Sequence, residues 1–188
     1  MTISLLMRLS MLFNVSLALA MEGEEIPFVG DVVLQDITMF GETIRFPEPA
    51  RITGAGASVG KRIKVRGTLF FIAHARCSLC LEPLRSTFTI PLEAEYALSE
   101  DVSTEDRNPD VYLYDGASID LTGMVADAVR LALPIQWRCA EDCKGLCPIC
   151  GADRNKTKCG CKPDKKDRRP FAKLHSVKIR NDYDQNEV

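Results

Sequence analysis

The sequence predicts an α+β fold: a small, mostly antiparallel β-sheet domain with one main helix and a cysteine-rich, zinc-binding C-terminal region. Three observations predict it. Residues 61–75 and 87–96 alternate apolar and polar side chains with the period of two expected of half-buried strands. Residues 121–132 repeat their apolar positions at helical spacing. All eight cysteines stand in close groups rather than spread along the chain. A chain of 188 residues, 46% of them hydrophobic, is long enough to bury one core and short enough to need no second.

Taken in order, the stretch Ile3 to Ala20 is largely apolar, carries Arg8, and ends in Ala18-Leu19-Ala20 like a secretory cleavage site. Ser10, Asn14 and Ser16 interrupt it and no clean basic segment precedes it, so a leader is disfavoured; it is also too short and polar for a membrane span. The alternation of Phe13, Val15 and Leu17 reads as a strand, with Leu5 to Leu12 a turn or short helix before it, and Met7, Met11 and Met21 offer internal starts. Two apolar runs follow, Phe28 to Leu34 and Ile44 to Phe46, with Pro27, Pro47 and Pro49 at strand ends or edges. Gly54 to Gly60 reads as a flexible turn.

The clearest strand comes next. Ile63, Val65, Gly67, Leu69 and Phe71 share one face, while Arg62, Lys64, Arg66 and Thr68 take the other. It leads through His74 into Cys77-Ser78-Leu79-Cys80, after which Phe88, Ile90, Leu92 and Tyr96 mark a second strand, so the first cysteine pair sits at a hairpin turn. Ser99 to Pro109 is acidic and reads as mobile. Val111 to Tyr114 is a brief strand; Ser118 or Asp120 caps a helix carrying Leu121, Val125, Ala128, Val129 and Ala132, and Pro134 stops it. Beyond Trp137, which reads as packing near the metal site, apolar residues are sparse, and a segment so poor in core needs a metal to be ordered.

Disulfide frameworks spread half-cystines to close long loops; metal sites gather them in short pairs. Cys77-x-x-Cys80 and Cys147-Pro148-Ile149-Cys150-Gly151 are such pairs, and Pro and Gly in the second suit a turn that aims backbone amides at sulfur. These four form the expected first zinc site. Cys139, Cys143, Cys159 and Cys161 remain, either as a second zinc site or with some of the six C-terminal cysteines sharing one ion. An iron–sulfur cluster takes the same donors, but nothing adjacent suggests electron transfer. A redox pair belongs at a helix start after a strand, whereas Cys77 and Cys80 lie between two strand patterns. His74 and His175 are the only histidines, His74 reads as an ordinary strand residue, and a closed site of four thiolates leaves no position for water, so catalysis is not expected.

Net charge is -2, yet the charges are segregated. Ten acidic residues face one basic residue between Glu93 and Asp127, and eleven Lys and Arg face three Asp between Asp153 and Arg180. The acidic run reads as solvated surface. The basic one suits phosphate or a solvated tail, and composition does not choose between them.

Arg76 to Leu84, Ile119 to Thr122, Leu131 to Pro134 and Cys139 to Gly151, in that order and spacing, resemble the bacterial YceD family, as does Asp167 to Leu174 in the tail. The resemblance runs over about residues 25–175, leaving 1–24 as an N-terminal segment and 176–188 as a polar tail, with the cysteine-rich region at 139–161. It implies a cytoplasmic, non-enzymatic role in accumulation or processing of 23S ribosomal RNA and large-subunit assembly. By the same resemblance Cys77 and Cys80 match the family's first pair and Cys143, Cys147 and Cys150 its later cluster, while Arg154 stands where related sequences commonly have leucine.

Three hypotheses follow. In the first, a zinc-stabilised factor with one zinc, or two, binds ribosomal RNA or a large-subunit precursor. Lys156, Lys158, Lys162, Lys165, Lys166, Arg168, Arg169 and Lys173 would contact phosphates. The second is a module that binds a protein partner through the sheet or the acidic segment, and the third a thiol-dependent redox protein. Neither a membrane nor a small-molecule substrate is expected.

Overall fold

The computed structural model describes residues 11–39, 41–102 and 108–162. The chain divides into two compact units, 1–143 and 144–188, so the cysteines of region 139–161 are shared between them. The expected helix or turn before Leu12, residues 103–107 of the acidic stretch, the family's tail motif and the polar tail lie largely or wholly outside the described residues.

The first unit is α+β, with a mostly antiparallel sheet. It opens with β1 (Leu12–Asn14) and α1 (Val15–Ala20). A longer strand was expected here, but the chain turns helical because the Asn14 side chain accepts a hydrogen bond from Leu17 N (3.2 Å), a helix cap. Val15 and Ala18, three apart, are therefore the buried pair, rather than every second residue. Next come β2 (Ile26–Val32), the short hairpin β3 (Ile37–Met39) and β4 (Glu42–Ile44), and the long strands β5 (Ala50–Val59), β6 (Arg62–Arg76) and β7 (Pro83–Leu98). After a 3-10 turn at Ser99–Asp101, β8 (Val111–Tyr114) and β9 (Ser118–Asp120) precede α2 (Thr122–Ala132).

The main sheet has the order β2-β5-β6-β7-β8, antiparallel except for the parallel β7–β8 pair, while β1 pairs with β9. Pro27 lies on the edge strand β2, where a missing backbone donor is harmless. Ile63, Val65, Leu69 and Phe71 of β6 are buried on one face, as their alternation demands, and α2, whose Met124, Val125 and Val129 are buried, packs against β7. No helix among the described residues is long and apolar enough to cross a membrane.

Two expectations fail instructively. Gly54 to Gly60 is not a turn: β5 runs through it, and the bend is confined to Gly60-Lys61. The glycines are there for close approach. A Cβ on Gly56 would lie 2.5 Å from the Phe13 ring, and one on Gly54 would lie 2.9 Å from Gly67 Cα in the neighbouring strand. Likewise Ser118 to Asp120 forms β9 instead of a helix start; the helix begins at Thr122, whose amide donates to Asp120 Oδ1 (2.9 Å).

Candidate metal centres

The β6–β7 hairpin ends in Cys77-Ser78-Leu79-Cys80, the place expected for the first pair. Leu81 N donates to Cys77 O (2.9 Å) and Cys77 N to Glu82 O (2.8 Å), with Leu81 in the left-handed region at φ 62°. This tight turn aims the amides of Leu79 and Cys80 at the Cys77 sulfur. Pro134 breaks the chain out of α2, and Trp137 then ties the following segment to the hairpin. Ser78 N donates to Trp137 O (2.8 Å) and Trp137 N to Ser78 Oγ (3.2 Å). The Trp137 ring, 6% exposed, stands edge-on to Phe88 at 5.9 Å, so its expected packing role near the site holds. That tether delivers Cys139 and Cys143: Cys80 and Cys139 sulfurs are 3.5 Å apart, and those of Cys77 and Cys143 are 3.8 Å apart.

The second unit repeats the device on a smaller scaffold. Gly151 N donates to Cys147 O (2.9 Å) and Cys147 N to Ala152 O (2.8 Å), with Gly151 at φ 73° and the amides of Ile149 and Cys150 aimed at the Cys147 sulfur. Leu146 bridges Asp153, and Asn155 Oδ1 accepts from Lys144 N (2.8 Å), pinning both ends of the turn. Cys159 and Cys161 complete the group, so the tight Cys-Gly-Cys spacing is no obstacle.

In each group of four, the ligand atoms all lie within 4.8 Å of one another. Zinc–sulfur bonds of about 2.3 Å at tetrahedral angles place sulfurs about 3.8 Å apart, so the donor set and spacing fit zinc. All eight cysteines are free thiols.

Electrostatics point the same way. Burial pushes the Cys77 thiol up, but the amides of Cys80, Leu79 and Cys139 outweigh it and bring it to about 6. The Cys150 and Ile149 amides likewise lower Cys147 to about 6 against burial. Their neighbours respond in the opposite sense. Cys139, hydrogen-bonded to Cys143 and Cys80, is pushed up to about 12, as is Cys161 beside Cys150. Four thiolates this close repel, so the cluster favours one anion unless a cation sits between them.

The expected pairing of Cys77 and Cys80 with Cys147 and Cys150 is therefore corrected: Cys77, Cys80, Cys139 and Cys143 form one group, and Cys147, Cys150, Cys159 and Cys161 the other. The reason is local. The Trp137–Ser78 bonds carry Cys139 to the hairpin, and the Leu146–Asp153 bridge folds the later cysteines onto their own turn.

The family model described as "Large ribosomal RNA subunit accumulation protein YceD" matches residues 65–178, a span that holds all eight cysteines. The chain belongs to the YceD family. An uncharacterized protein of Mycobacterium tuberculosis is 35% identical over 95 residues, 50% of this chain and 46% of that protein. A counterpart from Mycobacterium leprae is 31% identical over 96 residues, 50% and 44% of the two chains. The match thus spans about half the length of these relatives. The Arabidopsis thaliana protein "Large ribosomal RNA subunit accumulation protein YCED homolog 1, chloroplastic" is 42% identical over 50 residues, 27% of this chain and 16% of that one. No solved structure matches.

Of this YceD-family chain's candidate phosphate contacts, Lys156, Lys158 and Lys162 are described and exposed, and Lys156 Nζ reaches Asp153 Oδ2 at 3.7 Å. Lys165, Lys166, Arg168, Arg169 and Lys173 lie outside the described residues. Sequence reasoning missed the parts of the centres that carry no sulfur. Ser78 and Trp137 act through backbone and hydroxyl, which no spacing rule reveals. The left-handed residue after each pair was legible at Gly151 and hidden at Leu81.

Proposed function

We propose that this protein is a zinc-stabilised, non-enzymatic factor that acts in the cytoplasm to promote accumulation or processing of 23S ribosomal RNA during large-subunit assembly. The observation that carries the reading is the family-matched segment 65–178, which contains both four-sulfur groups together with most of the basic run. In each group four thiolates hold zinc, one ion per group. A zinc held by four protein sulfurs has no open position, so the metal stiffens the fold and does not activate water. The Lys and Arg side chains from 156 to 173 then meet RNA phosphates, and the name of the Arabidopsis relative agrees with this assignment.

Native mass spectrometry of the freshly purified, reduced protein should find two zinc ions per chain. Removal of residues 162–180 should weaken binding to large-subunit ribosomal RNA and flatten its salt dependence by about 0.7–0.9 for each phosphate no longer neutralised. Unchanged affinity and slope would overturn the role given to the basic run. Cells depleted of the protein should hold less mature 23S RNA relative to the small-subunit RNA; an unaltered ratio would overturn the biological assignment.

A further inference from the structure

Directly opposed residues in an antiparallel ladder project to the same face, with Cβ atoms about 4.5–5.5 Å apart. At the hairpin end of the main sheet this rule builds a rung of three basic residues. Arg45 bridges His74, and His74 is in register with Arg85. The bridge is firmly made: Arg45 N donates to His74 O (2.9 Å) and His74 N to Arg45 O (2.8 Å). Arg76 lies on the same face of β6, and all four residues are exposed.

Arginines gathered on one exposed face gain nothing for folding from one another, so the rung has no structural motive of its own. Elsewhere the outward face neutralises its cations. Glu95 takes Arg62 and Lys64 at 2.9 Å and 3.0 Å, Glu93 takes Arg66 at 3.0 Å, and Asp31 takes Arg51 at 3.2 Å. At the rung Glu48 reaches Arg85 at 3.5 Å, while Arg45 and Arg76 have no carboxylate within ion-pair distance among the described residues. These two arginines and His74 line an open polar groove of about 440 Å³, in which Glu42 is the acidic residue. Further along the same face of β6, Phe70 is 44% exposed and lies between Arg51 and Thr89.

Guanidinium groups with no carboxylate at ion-pair distance, on a sheet face that also carries an exposed aromatic ring, match the alternating phosphates and bases of a single strand. We propose that this end of the sheet is an RNA-binding surface, with Arg45 and Arg76 on backbone phosphates and Phe70 under a base. The proposal rests on the RNA-binding reading above, and it adds a contact surface in the first unit, built from residues outside the basic run.

The test is fluorescence anisotropy with the full chain, zinc present, and a labelled single-stranded transcript of large-subunit ribosomal RNA, titrated across salt. R45Q/R76Q should bind about tenfold or more weakly, with the salt slope reduced by about 1.4, two single-strand contacts. R45K/R76K should regain most of the slope, F70A should lose about tenfold with no change in slope, and R66Q, already paired, should change less than twofold. If R45Q/R76Q keeps wild-type affinity and slope while removal of 162–180 weakens binding, this surface is wrong and the functional reading stands. If the wild type shows no salt-dependent binding, the functional reading itself fails. A poly-aspartate peptide that displaces the RNA at equal charge concentration would make the partner an acidic protein and overturn the RNA assignment. Equal weakness of R45K/R76K and R45Q/R76Q would overturn the phosphate contact.

Discussion

The two cysteine centres are built on one turn and supported by very different surroundings. Both use a Cys-x-x-Cys loop followed at once by a left-handed residue, with matching bonds from that residue back to the first cysteine and from the first cysteine on to the residue after it. In the first unit the loop caps a hairpin of two long strands; Cys77 and Cys80 are 0% and 7% exposed, and Trp137 joins them to a shared core with Phe88 and Phe71. In the second unit Cys147 is the buried hydrophobic residue among those described, and Ile149 is 58% exposed. The same ligand geometry therefore decorates a fold in one place and constitutes it in the other.

The largest effect should come from removing metal altogether. Structural zinc contributes on the order of 10 kcal/mol where no preformed site exists, and a unit whose described residues bury almost no apolar side chain has little to replace it. After chelation under reducing conditions, hydrogen exchange should show amides of 144–162 exchanging at near-random-coil rates. Amides of β5, β6 and β7 should stay protected, with losses confined to the hairpin tip and 137–143. Equal collapse of both units would remove the distinction drawn between them.

Single ligand changes should divide the same way. Cys147→Ser should abolish one zinc and unfold the second unit while leaving the thermal transition of the first in place. Cys77→Ser should also cost one zinc, yet the first unit should survive with its transition lowered by several degrees, since a buried, truncated site costs a few kcal/mol at most in a domain that keeps its core. Native mass spectrometry with calorimetry on each variant reads both quantities, and identical unfolding profiles would count against the comparison.

The sheet was legible because its period of two is strict: Ile63, Val65, Leu69 and Phe71 could face only one way, and the cysteine pair had to fall in the turn beyond them. The helix was legible from its stripe, though its start was not, because Ser118 to Asp120 pairs with Leu12 to Asn14, a partner about a hundred residues distant that no local signal announces. Gly54 and Gly56 misled for a related reason. A glycine required by a neighbouring strand or by Phe13 looks, in sequence, like one required by a turn. The cysteines identified themselves as candidate metal ligands, but their grouping depended on the Trp137–Ser78 and Leu146–Asp153 contacts, which have no pattern of their own.

A smaller effect separates the units by pH. The folded Cys77 thiol is lowered to about 6 from the ordinary 9.0, so its ionised form stabilises the metal-free first unit above pH 9, and that contribution is lost as pH falls through about 6. Metal-free, reduced protein should therefore melt at lower temperature at pH 5 than at pH 8. The second unit, unfolded without metal, should show no such trend. In the zinc-loaded protein protons compete with the ion for thiolate, so acidification should release zinc from both centres.

The smallest effect lies in the left-handed residue itself. A Cβ added at Gly151 would meet nothing within 4 Å, so Gly151→Ala strains only the backbone, by about 1 kcal/mol, and should speed zinc transfer to a chromophoric chelator about fivefold. Leu81 holds the equivalent angle and is 52% exposed, so little packing would disappear on removing its side chain. A left-handed non-glycine residue costs about 1–2 kcal/mol, while glycine adds about 0.5–1 kcal/mol of chain entropy to the unfolded state. The difference favours Leu81→Gly by up to about 1.5 kcal/mol, visible as a higher urea midpoint at unchanged m. A lower midpoint would mean that the Leu81 side chain contributes to the first centre in a way glycine does at the second without any side chain.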